Sequence, residues 1–249
     1  MEADTDARIA RGRAGVWLIH IVPAVILIPC FVYGAMIYAS LPETIPTHWG
    51  AGGAPDAWAD KSFGSVFAPL LIGAGTSVFL ALITVAVPLM VPPSNNATKW
   101  ELWRREGTIC GTVAAMGGAS ALIAALVGVL AVAGWQNPDS LPVGPVLILI
   151  ALILGVVAAS YALSTRWARR TAQKNGVMPT AEEQEEDKLW IAGGLYNNPD
   201  NPHILVPKRE GAGTGLTVNV GNSKGRAAVV AFLGVFVVFP LVLGGILAL

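Results

Sequence analysis

The sequence predicts an all-α membrane protein: a bundle of five transmembrane helices with a structured outer loop and a small cytoplasmic α+β module. Three observations predict it. Of 249 residues, 54% are hydrophobic and only 13% charged, where a soluble domain carries about 25%. Charged residues are absent from five long runs, at 14–40, 63–91, 107–134, 143–165 and 227–249. With the N-terminus inside, 15 of the 16 Lys and Arg residues fall on one side and only Lys61 on the other, the distribution the positive-inside rule describes.

Each run is near or above the roughly 20 residues a helix needs to cross the hydrocarbon layer. None alternates as a barrel strand would, and in lipid the backbone must bond to itself. Arg8, Arg11 and Arg13 in the segment 1–13 precede the first run. That run is too long for a signal peptide and no A-x-A site closes it, so it reads as an uncleaved first helix. Residues 14–91 then form two spans joined by an outer loop at 41–62. A cytoplasmic loop at 92–106, a helix pair at 107–165, a cytoplasmic segment at 166–226 and a fifth helix at 227–249 follow. The C-terminus is thereby expected outside. The fifth run carries Pro240 and ends the sequence; a re-entrant or peripheral hairpin is its alternative.

The third run carries Gly107, Gly111, Ala115 and Ala119 at four-residue spacing. Small residues so spaced let a neighbouring backbone approach closely. Contact inside the bundle is favoured over a dimer interface. Pro69 and Pro88 in the second run suggest local kinks or end adjustments. No Asp, Glu, Lys or Arg lies within any run, which disfavours an ion-coupled transporter. His20, about two turns into the first span, reads as an interfacial histidine. Cys30 and Cys110 lie in apolar runs and read as small buried hydrophobes.

The outer loop is dense in residues with specific uses. Pro42 and Pro46 fix extended backbone, and Gly50, Gly52 and Gly53 permit a tight reversal. Trp49 and Trp58 suit a membrane interface, while His48, Asp56 and Lys61 add polar groups. One reading is a folded cap, with Asp56 or Asp60 capping a turn or the second span; the other is a recognition surface for an external ligand. His48 lacks the ligand spacing of a metal site.

The pattern L-P-x-x-I-P-T-H-W-x-x-x-G-x-x-D-x-W-x-x-K runs from Leu41 through Ile45, Thr47 and Gly53 to Lys61. It resembles the family called domain of unknown function 1648, the N-terminal module of SdpI-like membrane proteins. The resemblance covers about 14–91. It implies a bacterial plasma-membrane protein, with a role in immunity against a secreted toxic peptide or in signalling through a repressor held at the membrane.

In the cytoplasmic segment, Arg166, Arg169 and Arg170 should sit against anionic headgroups. Thr180 with Glu183 fits a capping box opening a short acidic helix. Its run of Glu182, Glu183, Glu185, Glu186 and Asp187 reads as a solvated face. Residues 204–208 and 216–220 read as two short strands, joined through the glycines of 209–215. That glycine stretch lacks the G-K-[ST] of a phosphate loop. Trp190, Gly193, Tyr196, Asn198, Pro199, Pro202, Lys208 and Arg209 carry a W-x-x-G-x-x-Y-x-N-P-x-x-P and V-P-K-R pattern. This resembles a second module, domain of unknown function 5808.

Zero net charge gives no reason to expect nucleic acid. No H-E-x-x-H, G-x-S-x-G or paired intramembrane aspartates occur, so no enzyme, metal or cofactor is expected. The expected partners are the lipid bilayer, a membrane-protein or peptide partner outside, and a cytoplasmic regulator. The sensing or immunity role competes with that of an accessory or scaffold subunit in a larger membrane complex.

Overall fold

A computed structural model describes residues 13–50, 52–141, 143–239 and 242. Among the described residues, four helices are long and apolar enough to cross a membrane: α1 (Arg13–Ser40), α2 (Phe63–Met90), α3 (Lys99–Gln136) and α4 (Val143–Lys174). The chain is a multi-pass membrane protein.

Hydropathy locates these helices but misplaces their ends. The third begins at Lys99, eight residues before the uncharged run, because Thr98 and Glu101 cap it reciprocally. Glu101 N–H donates to Thr98 Oγ1 at 3.1 Å and Thr98 N–H to Glu101 Oε2 at 2.9 Å. The stretch 92–106 is thus largely helix and not loop. The fourth continues past Thr165 to Lys174, so Arg166, Arg169 and Arg170 lie on its last turns and do not follow it. Gly176, at φ 73°, turns the chain away. In α1 a 3₁₀ turn over Leu18–Ile21 precedes Pro23, whose ring supplies no N–H to the helix ladder. Helix α2 runs unbroken through Pro69. At its end the Pro88 and Val91 carbonyls both accept from the Arg105 guanidinium, a cation at the negative end of a helix.

The chain divides into two units, one of residues 18–82, 117–155 and 236–249, the other of 1–17, 83–116 and 156–235. In the first, Leu27, Leu41, Ile45, Val66, Phe67 and Leu70 form the core with Ala124 and Ala131. Phe67 packs among Phe31, Phe63 and Trp135, at centroid distances of 4.5, 5.0 and 5.9 Å. Gly34 is needed there, since a Cβ would come within 2.5 Å of the Trp135 ring. The loop at 41–62 is an antiparallel hairpin of β1 (Thr44–Trp49) and β2 (Pro55–Asp60). Its register shifts on either side of His48, the signature of a bulge. Ser62 and Ser65, not Asp60, cap α2: each hydroxyl accepts the other's N–H, at 2.9 and 3.1 Å.

In the second unit, Val87, Val91, Ile109 and Val113 form one apolar cluster; Trp100, Trp103 and Ala172 form another, flanked by Trp167. A Cβ at Gly107 would lie 2.8 Å from that of Ala168, and one at Gly111 would lie 2.7 Å from the Tyr161 ring. These two glycines of the small-residue ridge therefore pack on α4 of the same chain; Ala115 is buried and Ala119 half-buried. After α4 come α5 (Ala181–Lys188) and two antiparallel pairs, β3 (Trp190–Ile191) with β4 (Leu195–Tyr196) and β5 (Leu205–Pro207) with β6 (Leu216–Val218). The predicted capping box is present at Thr180 and Glu183. Helix α6 (Ser223–Leu233) passes into a π turn over Gly234–Val238. Much of the predicted fifth span, including Pro240, lies outside the described residues.

Candidate functional site

The β1–β2 hairpin sorts its motif residues into two groups. One group builds a platform. Leu41, Ile45 and Pro46 are buried. Lys61 is only 13% exposed; its ammonium donates to the Leu41 carbonyl at 2.9 Å and to Glu43 Oε1 at 2.8 Å, closing the base of the hairpin. Trp49 lays its ring where a Cβ at Gly134 would meet it at 2.8 Å, and its indole N–H donates to the Pro138 carbonyl at 3.3 Å. Gly53, at φ 80°, turns the tip. Its carbonyl accepts from Leu141 N–H at 2.9 Å, and a Cβ there would stand 2.7 Å from the Leu141 carbonyl oxygen.

The other group faces outward. His48 Nδ1 and Asp56 Oδ1 are 2.5 Å apart, yet the two side chains are 68% and 53% exposed. Trp58, paired with Pro46 in the register, is 49% exposed. Pro42 is also exposed. The sequence pattern alone does not separate these groups, because both consist of the same residue types.

A second polar site lies among α3, α4, α5 and the β5–β6 loop. Its centre is Asp187. That carboxylate accepts from Arg209 Nη1 at 2.5 Å and Trp100 Nε1 at 3.2 Å, with Arg169 Nη2 at 3.4 Å and Arg104 Nη1 at 3.8 Å. Arg209 is buried and its second nitrogen, Nη2, donates to Glu186 at 2.8 Å. The acidic run is therefore not a uniformly solvated face: Glu186 and Asp187 turn to the arginines, while Glu182 and Glu185 stay exposed. The Thr98 hydroxyl donates to Glu183 at 2.5 Å. Burial pushes the Glu183 carboxyl up, but its bonds from Thr98 and Thr180, with the Arg104 charge, outweigh that and hold it below the usual carboxylate range.

Trp190 and Tyr196 meet edge to face at 5.0 Å, and Asn198 Nδ2 donates to the Tyr196 hydroxyl at 3.0 Å. Pro199 and Lys208 are exposed. The residue that organises this segment is Asn219, fully buried. Its Oδ1 accepts from Asn198 and Gly221 N–H at 3.1 Å each. Its Nδ2 donates to the Asn198, Asn201 and His203 carbonyls. Sequence reasoning placed Asn219 only at the end of a strand. The turns it satisfies, built on Asn198-Pro199 and Asn201-Pro202, were the available signal, since such turns leave carbonyls that need a donor. Among the described residues no group of three or more His, Cys, Asp and Glu could hold a metal ion.

Glu106 is a further residue the sequence did not single out. It lies one position before the third uncharged run and is 1% exposed. Arg13 Nε donates to its Oε1 at 2.9 Å and Arg13 Nη2 to its Oε2.

Comparison with known proteins places the hairpin in context. Residues 25–73 match the family model Domain of unknown function (DUF1648), a stretch from within α1, across the hairpin, into α2. A protein of Archaeoglobus fulgidus described as an uncharacterized protein is 41% identical over 59 residues, which is 24% of this chain and 30% of that protein. The chain thus spans less than a third of the length of this relative. No solved structure matches.

Proposed function

We propose that this chain is a non-enzymatic plasma-membrane protein of the SdpI-like sensing or immunity type, whose β1–β2 hairpin meets an envelope peptide or membrane partner on the outer face. The observation that carries the reading is the division within the hairpin. Leu41, Ile45, Pro46, Trp49, Gly53 and Lys61 are occupied in holding its shape. His48, Asp56 and Trp58 are held out to solvent on that platform. An exposed aromatic on the same hairpin as an exposed imidazole–carboxylate pair is a surface built for contact more than for stability.

The orientation follows from charge. Of the 16 Lys and Arg residues only Lys61 falls in the hairpin loop. The remainder belong with the cytoplasmic side. There α5 and the 190–219 segment, with its resemblance to domain 5808, form the module that reports to a cytoplasmic regulator. A scaffold subunit would need a free packing face for its partner, and on the small-residue ridge of α3 the helix α4 already occupies Gly107 and Gly111.

The test is the triple variant His48→Ala, Asp56→Ala, Trp58→Ala. Membrane level should equal wild type while tolerance to envelope-active peptides is lost. Unchanged tolerance at unchanged level removes the hairpin from the function. Native mass measurement after gentle detergent extraction tests the scaffold reading, which a clean monomer contradicts.

A further inference from the structure

A small cavity lies between the tryptophans of α3 and the β3–β4 turn, bordered by Trp100, Trp103, Arg104, Arg169, Arg209 and Gly193. It holds about 60 Å³ of open space. That is far below the ~300 Å³ of a drug-sized ligand site. Three of its lining residues carry a buried nitrogen with no hydrogen-bond acceptor: Trp103 Nε1, Arg104 Nη1 and Arg209 Nε. Trp103 is 2% and Arg209 6% exposed. Arg104 Nη1 stands 3.8 Å from Asp187, beyond hydrogen-bond reach.

Buried donors are nearly always satisfied, and each exception calls for an explanation. Here the three exceptions belong to residues that line one cavity, and the carboxylate beside it already has donors of its own. Asp187 accepts from Trp100 and Arg209 and has Arg169 close by. The arginines are therefore positioned by Asp187, Glu186 and Glu101 with donors left over.

We infer that this cavity is a binding site for a single phosphate group, held by Trp103 Nε1, Arg104 Nη1 and Arg209 Nε. A phosphate offers three oxygens to three donors where a carboxylate offers two, and guanidinium is the side chain best matched to it. Four tryptophans at this level, Trp100, Trp103, Trp167 and Trp190, with Arg166 and Arg170 on the same helix end, suit a site at the membrane–water boundary. The phosphate could belong to a phospholipid headgroup of that leaflet or be free.

The experiment uses the full chain, delipidated in a phosphate-free maltoside detergent. Thermal unfolding is followed while adding inorganic phosphate, dioctanoyl phosphatidic acid or dioctanoylglycerol. Stabilisation by inorganic phosphate and phosphatidic acid identifies recognition of the group itself; stabilisation by phosphatidic acid alone identifies the headgroup. Trp103→Phe keeps an aromatic ring at the edge-to-face contact with Trp167 and removes one donor. It should weaken the effective ligand about tenfold, while the unliganded melting temperature is unchanged or higher. Ser62→Ala, which uncaps α2 away from the cavity, should lower the melting temperature and leave the apparent affinity alone. No stabilisation by either phosphate compound overturns the assignment, and so does equal stabilisation by dioctanoylglycerol. Unaltered affinity in Trp103→Phe overturns it as well.

Discussion

Arg13 ties the start of α1 to α3 through Glu106, and the strength of that tie can be worked out. Glu106 is 1% exposed, and Arg13 grips both its oxygens. Arg13→Met keeps a long apolar stem but leaves a carboxylate buried without its cation. Removing one partner of a buried pair costs about 3 to 5 kcal/mol. The Arg13 side chain is 27% exposed, so water can partly replace it, and the lower end, about 3 kcal/mol, is expected. Glu106→Met, which leaves the better-solvated partner behind, should cost less. The double variant should return to within about 1 kcal/mol of wild type, because apolar replacement of a whole buried pair is often neutral. Reversible denaturation in mixed micelles, run as a double-mutant cycle, measures all three. A cost below about 0.5 kcal/mol for Arg13→Met, or a double variant no better than that single change, refutes the assignment of a buried pair.

Three further outcomes are expected. Gly53→Ala forces a side chain into φ 80° and against the Leu141 carbonyl, and should cost about 2 kcal/mol. Gly50→Ala meets only an ordinary 3.5 Å neighbour and should cost under about 1 kcal/mol by the same denaturation midpoint. Asn219→Ala strips buried partners from five backbone groups; it should destabilise its unit by about 3 kcal/mol. Limited proteolysis should then cut within 198–222 while the β1–β2 hairpin stays intact. Glu183 is held below its usual carboxylate range in the fold, so its contribution is complete above the unfolded glutamate value and is lost as pH falls through the folded one. Thr98→Ala removes the leading donor, brings the two values together, and should flatten the acid-side loss of stability; an unchanged slope means the hydroxyl does not act on Glu183.

Much of this was legible in the sequence. The uncharged runs located four helices, because lipid burial demands uninterrupted apolar residues. The capping box at Thr180 and the strand pair around Val206 and Thr217 were legible because turn and cap chemistry is local. What escaped were features set by partners distant in the chain. Thr98-x-x-Glu101 marks the start of α3 as clearly as Thr180-x-x-Glu183 marks α5, but hydropathy, which reads lipid exposure and not helix ends, drew the boundary at Gly107. The acidic run looked uniform in sequence, whereas Asp187 faces three arginines contributed from positions 104, 169 and 209. Likewise nothing near Glu106 announces Arg13, 93 residues away. In the hairpin, the motif residues were visible, but their division into platform and exposed surface depends on the α3–α4 loop, where Pro138 and Leu141 receive Trp49 and Gly53.

The central claim is that the hairpin with His48 and the arginine cluster around Asp187 lie on opposite faces of the membrane. It is tested by placing single cysteines at two exposed positions, Thr47→Cys and Glu182→Cys, with Cys30 and Cys110 changed to alanine. A membrane-impermeant maleimide should label position 47 in intact cells and position 182 only after permeabilisation. Labelling of both positions in intact cells, or of position 182 alone, contradicts the account.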